Sequence, residues 1–290
     1  VFCLMYAMPG DPVDMAINDK VSAERKAQIA HELGYDQPFL IQYKNWLVNV
    51  LHLDFGTSTR YKAAVWDLIS DRIPYSLKLC GWALLLEMII ALPLGLYCAI
   101  HKDSIVDKAT VNLSLIFTAV PSFWLGTLLI VIFGVKLNIL PISGYETAAH
   151  YVLPVTTITL TGLGSTLRIT KAEVLEVLNE KYVTTAYAKG LPRKIVLYKH
   201  VLRNALIIVV TLLFMSLPWM ISGAVITERV FGLPGMGSLL LNSIVVQDMP
   251  VVQAVLLIIA ILTVICNLFS DIITGFLDPR IRVSMSGGDN

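Results

Sequence analysis

The stretch NEKYVTTAYAKGLPRKIVLYKHVLRN, residues 179–204, is the longest polar interruption between apolar runs in the second half of the chain. Asn179 carries the side-chain oxygen of an N-cap, and Glu180 places negative charge at the positive end of a helix. Gly190 suits the left-handed conformation that ends a helix, and Pro192 suits the first position of the next. The pattern predicts a capped helix of about ten residues that starts at Glu180 and is too short to be stable alone in water. We expect it to dock on another surface; an ordinary amphipathic connector between two spans is the alternative.

Composition decides the class of protein. The 290 residues are 56% hydrophobic and 15% charged, against about 25% charged in a typical soluble domain. The apolar residues form long runs at 79–100, 111–135, 151–167, 205–226 and 251–277. Most of these runs reach the roughly 20 residues that a helix needs to cross a bilayer. The chain is therefore expected to be an all-α membrane protein, and its net charge of +1 gives no indication of a nucleic-acid partner.

The first residues, VFCLMYAM at 1–8, are interpreted as the end of a first span, truncated here. Together with the five apolar runs this predicts six transmembrane helices. A signal peptide is the alternative, but there is no basic n-region and no small-residue cleavage site before Pro9. We further expect an extracytoplasmic helical loop at 9–75, a transmembrane domain at 76–277 that contains the 179–204 loop, and a cytoplasmic tail at 278–290.

The orientation in the membrane follows from Lys and Arg in the short loops. One side of the predicted spans has only Lys136 and Arg229 in such loops. The other side carries Lys102, Lys108, Arg168, Lys171, Lys181, Lys189, Arg193, Lys194, Lys199, Arg203, Arg280 and Arg282. Residues 179–204 are therefore expected in the cytoplasm and residues 9–75 outside.

The loop at 9–75 has helical patterns of its own. Ser22 is a candidate N-cap for a first helix, and the apolar positions after Pro38 follow the 3.6-residue period of a second. Residues 65–69 then lead towards Pro74 and the next span. The helices are apolar on one face, so we expect them to lie against the membrane domain or a partner.

Polar residues inside the spans are candidates for a translocation path or gate. The 151–167 run holds Thr157, Thr161 and Ser165, whose hydroxyls either serve close helix packing or line a wet path. Glu87 lies near the middle of its span, where a carboxylate costs about 2.5–3.5 kcal/mol or more. Such an acid is a functional candidate, whether it is neutral or paired across an interface. Met215 is a further candidate in the 205–226 span.

Prolines lie inside several predicted spans. They are Pro93, Pro121 and Pro218. Because proline removes a backbone donor, each is expected to kink its helix, as membrane helices tolerate when neighbours satisfy the freed carbonyl.

Motifs along the whole chain resemble those of ABC importer permeases, and specifically of the peptide/nickel permease family. The central one is the EAA loop, YVTTAYAKG at 182–190 followed by HVLRNA at 200–205. The others are PGDP at 9–12, LDFGTS at 53–58, PSFWLG at 121–126, LPISGY at 140–145, ERVFGLPGMG at 228–237, Asn267 with Asp271, and DPRIR at 278–282. Two positions depart from the pattern: Thr185 stands where the EAA triplet has Glu, and Glu87 stands where an apolar residue is expected.

The resemblance implies partners and a mechanism. Such permeases pair two homologous membrane subunits, each with an EAA helix that docks on a cytoplasmic ABC ATPase. ATP and Mg would therefore be bound by two partner ATPase subunits, in keeping with the lack of a GxxxxGK[ST] phosphate loop in this chain. The chain would be a transport subunit and not an enzyme, with no catalytic residue and no cofactor of its own. The residues expected to couple to the ATPase are Thr185, Ala186, Lys189, Gly190, Leu191, Pro192 and Arg193.

The loop at 228–237 is rich in Gly and Pro and lies between the last two predicted spans. By analogy with the family it is expected to dock a substrate-binding protein or to form part of an outer gate; a mere turn is the alternative. The candidate docking residues are Glu228, Phe231, Pro234 and Gly235.

The sequence leaves the substrate open. Family members carry dipeptides, oligopeptides, glutathione, or nickel and its chelates. The five histidines are scattered over loops on both sides, so no direct metal site is expected. Short peptides are the first expectation, and nickel or a metallophore is the alternative.

Two other classes of membrane protein also have several spans. A secondary transporter would more often show internal repeats, and none is visible here. An intramembrane protease would need a serine with a histidine or a pair of aspartates at matching depth, which the spans do not offer. The bacterial cytoplasmic membrane, with its lipid, is the expected location.

Overall fold

A computed structural model describes residues 2–3, 22–32, 34, 36–202, 204–206, 209 and 224–277. In this part of the chain regular structure is helical, and extended backbone pairs only at an isolated bridge between Thr57 and Ala64. The prediction of an all-α fold is confirmed for these residues. Most of the predicted 1–8 segment, the 278–290 tail, Met215 and Pro218 lie outside the described ranges.

Short helices make up the segment before the membrane domain. They are α1 (Ala23–Glu32), α2 (Phe39–Leu51) and α3 (Val65–Ser70). Ser22 caps α1 as predicted, because its Oγ accepts a hydrogen bond from the backbone N–H of Arg25 at 3.3 Å. The second predicted helix is also confirmed, and it begins directly after Pro38.

The long helix α4 (Ile73–Ile100) confirms the span predicted at 79–100 and starts earlier. Pro74 lies in its first turn, where the missing N–H would have no helical partner in any case. Pro93 is accommodated inside the helix without ending it.

The run predicted as a span at 111–135 is not a single helix. The run is divided into α5 (Ile105–Ala119), α6 (Ser122–Leu129) and a π-helical continuation, Ile130–Lys136. The two halves meet at 103°. Val120 is extended, with ψ of 128°, because the ring of Pro121 disfavours helical backbone at the residue before it. Pro121 therefore breaks the helix where only a kink was expected.

The predicted 151–167 span is much shorter than the helix that contains it. α7 (Ala149–Leu178) has 30 residues, which corresponds to roughly 45 Å. Its C-terminal part carries Arg168 and Lys171 beyond the apolar run. Periodicity alone could not show this extension, because the added turns are polar and lie past the bilayer core.

The second half of the chain contains the remaining helices. They are α8 (Lys181–Ala188), α9 (Arg193–Ile195) with its π-helical continuation Val196–Leu202, α10 (Ala224–Phe231), α11 (Met236–Val245) and α12 (Met249–Leu277). α10 and α11 meet at 82°. By length and composition, Val65–Ile100 and Met249–Ile273 are each able to cross a membrane, and each of the two bent pairs adds a further candidate span in the described ranges.

Helix α7 lies at the centre of the membrane domain. Against α4, a Cβ added at Gly95 would lie 2.6 Å from Cβ of Thr170, and the hydroxyl of Thr159 donates to the carbonyl of Ala83 at 3.1 Å. Against α5, Gly164 lies so close to Ser114 that a side chain would overlap its carbonyl group. Small and hydroxylated residues thus let both neighbours approach the backbone of α7, and α7 in turn carries the polar loop.

Helix α3 attaches the outer segment to the membrane domain. Val65 and Ile69 are fully buried, in a cluster with Met236 and Leu239 of α11 and Val251 of α12. The outer segment is thus attached to the membrane domain through α3, which is not one of the two helices for which this contact was expected.

Helix α2 is packed differently. It buries no residue completely, but Phe2 stacks against it, with the ring centroids of Phe2 and Trp46 5.3 Å apart.

Candidate functional site

The start of the polar loop differs from the prediction. Asn179 ends α7 instead of capping α8: its backbone is near-helical, and its Nδ2 donates to the carbonyl of Leu175 at 2.9 Å. Glu180 is the N-cap, with extended backbone at ψ 143°, and α8 has eight residues. The predicted start is therefore one residue too early, because asparagine suits both ends of a helix.

The end of α8 is as predicted. Gly190 has φ of +77°, and its N–H donates to the carbonyl of Tyr187 at 2.9 Å. The next N–H, of Leu191, donates back to Ala186 at 3.3 Å. These bonds close the last turn in the manner of a glycine C-cap. Pro192 is the N-cap of α9, whereas it was predicted to be the first residue of that helix.

The inner face of α8 is packed into its own chain. Val183 and Ala186 are 1% and 5% exposed. They join a cluster formed by the end of α7 and the segment after α8, which includes Val174, Val196 and Val201. Ala186 was expected to contact a partner, but its side chain lies inside this cluster, so its role here is to hold α8 against the spans.

The outer face of α8 and of the following turn is exposed. The predicted coupling residues on this face are Thr185, Lys189, Gly190, Pro192 and Arg193, with Leu191 half-buried beside them. Thr185 uses its hydroxyl on its own helix, donating to the carbonyl of Lys181 at 2.9 Å. Tyr187, not predicted from the sequence, adds a large ring that is 42% exposed. The loop therefore presents an aromatic and basic surface on a rigid base.

A second attachment of α8 was not predicted. The amide Nδ2 of Asn204 donates to the phenol oxygen of Tyr182 at 3.0 Å and to the carbonyl of His200 at 2.7 Å. The first bond joins α8 to the segment that leads into the next span. Tyr182 and Asn204 both belong to the EAA motif, and this shared motif was the signal from which their contact could have been predicted.

The intramembrane acid Glu87 is 3% exposed. The hydroxyl of Thr166 on α7 donates to its Oε1. Gly162 makes room for the carboxyl group, since a Cβ there would lie 2.8 Å from Oε2. Glu87 is thus accommodated by a pocket in α7 within the same chain.

The other candidates for a translocation path within the described residues are Thr157, Thr161 and Ser165 of α7. Thr157 is buried and its hydroxyl donates to Leu153 at 2.8 Å, while the hydroxyl of Thr161 donates to Ile158 at 2.9 Å. Ser165 is exposed on the surface of α7. Two of these three hydroxyls therefore satisfy backbone carbonyls of their own helix.

Glu228 joins three helices at the turn between α10 and α11. It is 1% exposed. Its Oε1 accepts from the hydroxyl of Ser76 on α4 at 2.5 Å, and its Oε2 accepts from the backbone N–H of Ser238 in α11 at 3.0 Å. The Ser76 oxygen in turn accepts from the N–H of Met236 at 2.9 Å. The carboxyl group therefore caps the N-terminus of α11, where negative charge is favoured.

The rest of the 228–237 loop is shaped around this acid. Gly235 is buried, and a Cβ there would overlap the Glu228 carboxyl group. Phe231 is 2% exposed and packs over Gly126 of α6. Pro234 is half-buried. Glu228 and Phe231 therefore fix the loop from inside, and its surface is formed by residues such as Gly232 and Pro234.

An unpredicted buried acid, Asp248, anchors the LDFGTS motif. Its Oδ2 accepts from the hydroxyl of Ser58 at 2.5 Å, and its two oxygens accept from the backbone N–H groups of Thr59 at 3.3 Å and Arg60 at 3.4 Å. Asp248 immediately precedes α12 and is 0% exposed. The outer segment is thereby fixed to the start of the last helix.

A buried ion pair stands at the opposite end of the domain. Nζ of Lys171 on α7 lies 2.5 Å from Oδ1 of Asp107 on α5. Ser104 caps α5, with its Oγ accepting from the N–H of Asp107 at 3.1 Å. The pair holds α5 against the part of α7 that leads into α8.

Comparison with solved structures identifies the class of fold. The inward-facing MetNI methionine ABC transporter matches with a TM-score of 0.62 at 18% identity, over 73% of this chain and 96% of the matched chain. An amino acid ABC transporter with histidines matches with a TM-score of 0.51 at 14% identity. The fold is therefore that of a membrane subunit of an ABC transporter.

Sequence comparison gives the family. The profile of the binding-protein-dependent transport system inner membrane component matches residues 91–283, and that of its N-terminal region matches residues 1–80. The chain belongs to this family, the permease subunits of ABC importers in the bacterial inner membrane, and such a subunit is not itself catalytic.

Several relatives align over nearly the whole chain. The oligopeptide transport system permease protein AppB of Bacillus subtilis is 36% identical, over 97% of this chain and 92% of the relative. The dipeptide transport system permease protein DppB of Escherichia coli is 33% identical over the same shares. The metal-staphylopine import system permease protein CntB of Staphylococcus aureus is 38% identical, over 90% of this chain and 84% of the relative.

Proposed function

We propose that this chain forms half of the translocation path of an ATP-driven importer of short peptides. It would cross the membrane six times, with the 179–204 loop in the cytoplasm and the 9–75 loop outside. The observation that carries the mechanism is the architecture of α8, whose inner face is buried against the spans while its outer face is exposed. A rigid helix held in this way passes a displacement of a docked partner on to the spans.

The partners on the cytoplasmic side would be two ABC ATPase subunits, which bind ATP and Mg, together with a second homologous permease. Tyr187, Lys189 and Arg193 would contact the ATPase, since they form the exposed aromatic and basic surface of the loop. Val183 and Ala186 would act indirectly, because their buried side chains fix the angle of α8.

The partner on the outer side would be a substrate-binding protein that docks at the 228–237 loop. The contacts of Glu228 with Ser76 and Ser238 give this loop a defined shape. Gly232 and Pro234 would supply its accessible surface. Any movement of α10 against α11 on substrate release would act through the same buried acid.

The substrate proposal is short peptides, because the relatives named for oligopeptide and dipeptide transport align over almost the whole chain. A metal chelate is the second candidate, favoured by the similarity to the metal-staphylopine permease. Within the described residues, no group of three or more His, Cys, Asp or Glu side chains is placed to hold a metal ion.

Transport by the reconstituted complex tests both the proposed substrate and the proposed coupling to ATP hydrolysis. The chain is co-expressed with its second permease, ATPases and binding protein, purified and placed in liposomes. We expect ATP-dependent uptake of labelled di-, tri- or pentapeptides and none of Ni(II) chelates. Uptake of the chelates alone would overturn the peptide proposal, and uptake that continues with Walker-lysine variants of the ATPases would overturn the coupling mechanism.

A further inference from the structure

A cavity of about 550 Å³ opens at the end of the membrane domain opposite the 179–204 loop. It lies between the first half of α4 and the N-terminal turns of α7. It is an open groove whose lining is polar at one end, the mouth, with Tyr75, Lys78 and Glu146. Further along α4 its floor is apolar, formed by residues such as Leu85 and Ile89, which are 46% and 59% exposed. The change from polar to apolar follows the axis of α4, from its end towards the middle of the membrane.

The depth of the cavity matches one leaflet of a bilayer. Lys78 and Ile89 are both among its lining residues, and their separation along α4 corresponds to roughly 16 Å of helix. Half of a bilayer core of about 30 Å has nearly this thickness. Trp82, 58% exposed, stands between them near the depth at which tryptophan is enriched in membrane proteins.

The mouth offers two opposite charges. Lys78 is exposed, and among the described residues it makes no hydrogen bond or ion pair. Glu146 is held by the backbone N–H of Tyr145 at 3.1 Å and lies 3.2 Å from Nε2 of His150. Hydrogen bonds from its own backbone N–H and from that of Tyr145 lower the pKa of Glu146, so its carboxylate is ionised at neutral pH.

We propose that this cavity binds one phospholipid with an ammonium headgroup, from the leaflet opposite the 179–204 loop. Its phosphate lies at Lys78, its ammonium group at Glu146, and one acyl chain runs along Leu85 and Ile89. A transported peptide fits less well, because the floor offers apolar side chains where peptide N–H and C=O groups would need hydrogen-bond partners. The bound lipid lies along α4 and α7 near the 228–237 loop, since Gly144, next to the lining residue Tyr145, donates its N–H to the carbonyl of Phe231 at 3.3 Å.

Lipid retention by the intact complex tests the proposal without measuring transport. The complex is purified from nanodiscs of equal parts phosphatidylethanolamine and phosphatidylglycerol, washed in detergent, and its retained lipid is counted by native mass spectrometry. We expect phosphatidylethanolamine to be retained, Lys78→Gln to lower its retention at least several-fold, and Glu146→Gln to shift the retained lipid towards phosphatidylglycerol. Lys136→Gln, at the same membrane surface but outside the cavity, is the matched control.

Unchanged retention in Lys78→Gln, or an equal loss in Lys136→Gln, would overturn the proposal. A photo-reactive benzoylphenylalanine placed at position 82 gives a second readout. Cross-linking to phospholipid supports the proposal, whereas cross-linking mainly to the second permease subunit or to a labelled peptide would show that a different occupant covers the cavity.

Discussion

Single buried hydroxyl and carboxyl groups hold the helices of this permease together at points that are far apart in sequence. Ser76 is the best example, because one hydroxyl donates to Glu228 and accepts from the N–H of Met236. It thereby joins α4, α10 and α11. No local pattern around residue 76 indicates this role.

Ser76→Ala is expected to lower the thermal stability of the complex. The change leaves the Met236 N–H and one Glu228 oxygen without partners, each at a cost of about 1–3 kcal/mol. The melting temperature of the purified complex, followed by tryptophan fluorescence, measures the effect. Ser70→Ala is the control, since the Ser70 hydroxyl donates to the Asp67 carbonyl within its own helix. Equal melting temperatures for the two variants would contradict the role of Ser76.

Glu87→Gln is expected to leave uptake nearly unchanged, within about twofold, because the glutamine carbonyl can accept the same hydrogen bond from Thr166. The amide also fits the space opposite Gly162. ATP-driven uptake in liposomes measures this, with Glu176→Gln on the exposed end of α7 as the reference for a neutralising change. A loss of uptake only in Glu87→Gln, at equal protein in the membrane, would show that the carboxylate itself is needed.

At the residue scale, the sequence was informative at several positions where the cause is local, although the cap expected at Asn179 was wrong. The left-handed glycine at 190 and the cap at Ser22 were predicted because their partners lie within a few residues. The roles of Glu228 and Asp248 were not, because their partners lie 152 and 190 residues away. For the same reason, Glu228 was interpreted as a surface residue although its side chain is buried.

At the scale of the element, apolar runs located candidate spans in the described residues but not their shape. α5 and α6 read as one run, and only the backbone conformation forced on Val120 by Pro121 divides them. α7 extends beyond its apolar run because the pair of Lys171 with Asp107 supports the polar turns. Hydropathy therefore indicates which segments are apolar enough to span a membrane. The ends of the helices depend both on local residues such as Pro121 and Gly190 and on tertiary contacts such as that of Lys171 with Asp107.

The element whose shape matters most for coupling is α8, and its C-terminal glycine can be tested directly. Proline cannot adopt the φ of +77° found at Gly190, since its ring fixes φ near −65°. Gly190→Pro is therefore expected to abolish peptide uptake and co-purification of the ATPases while the protein stays in the membrane. Gly190→Asn is the control, because asparagine tolerates this conformation at a cost of about 1 kcal/mol.

Pull-down of the ATPases by each variant, with membrane levels measured in parallel, separates coupling from folding. The prediction fails if Gly190→Pro binds the ATPases and transports as well as the wild type. The asparagine control adds no overlap at its Cβ, because no atom outside the neighbouring residues lies within 4 Å of a Cβ added at Gly190.

At the scale of the whole molecule, the two ends of the membrane domain are fastened by different means. The end that carries α8 is held by an apolar cluster and the pair of Asp107 with Lys171. The opposite end is held by buried carboxyl groups, Glu228 and Asp248, that accept from backbone N–H groups. Hydrogen bonds of this kind depend on direction, so a tilt of the helices alters them more abruptly than it alters apolar packing.

Asp248 provides the test of how the outer segment is attached to the membrane domain. Asp248→Ala removes the acceptor for Ser58, Thr59 and Arg60, and hydrogen bonds to charged groups contribute about 1.5–3 kcal/mol each. The adjoining segment carries Arg60 and Lys62, both exposed, which trypsin recognises. Because cleavage follows the population of the opened state, digestion there is expected to become at least about tenfold faster.

The rate of cleavage at positions 60 and 62 in the folded complex, followed by intact-protein mass spectrometry, gives the measurement. Asp71→Ala, which removes an exposed carboxylate from the same segment, is the control and should leave the rate unchanged. Ser58→Ala removes one of the bonds and should give an intermediate rate, which keeps the test valid if Asp248→Ala does not assemble. Equal rates in Ser58→Ala and the wild type would mean that α3, through Val65 and Ile69, holds the outer segment in place without the carboxylate.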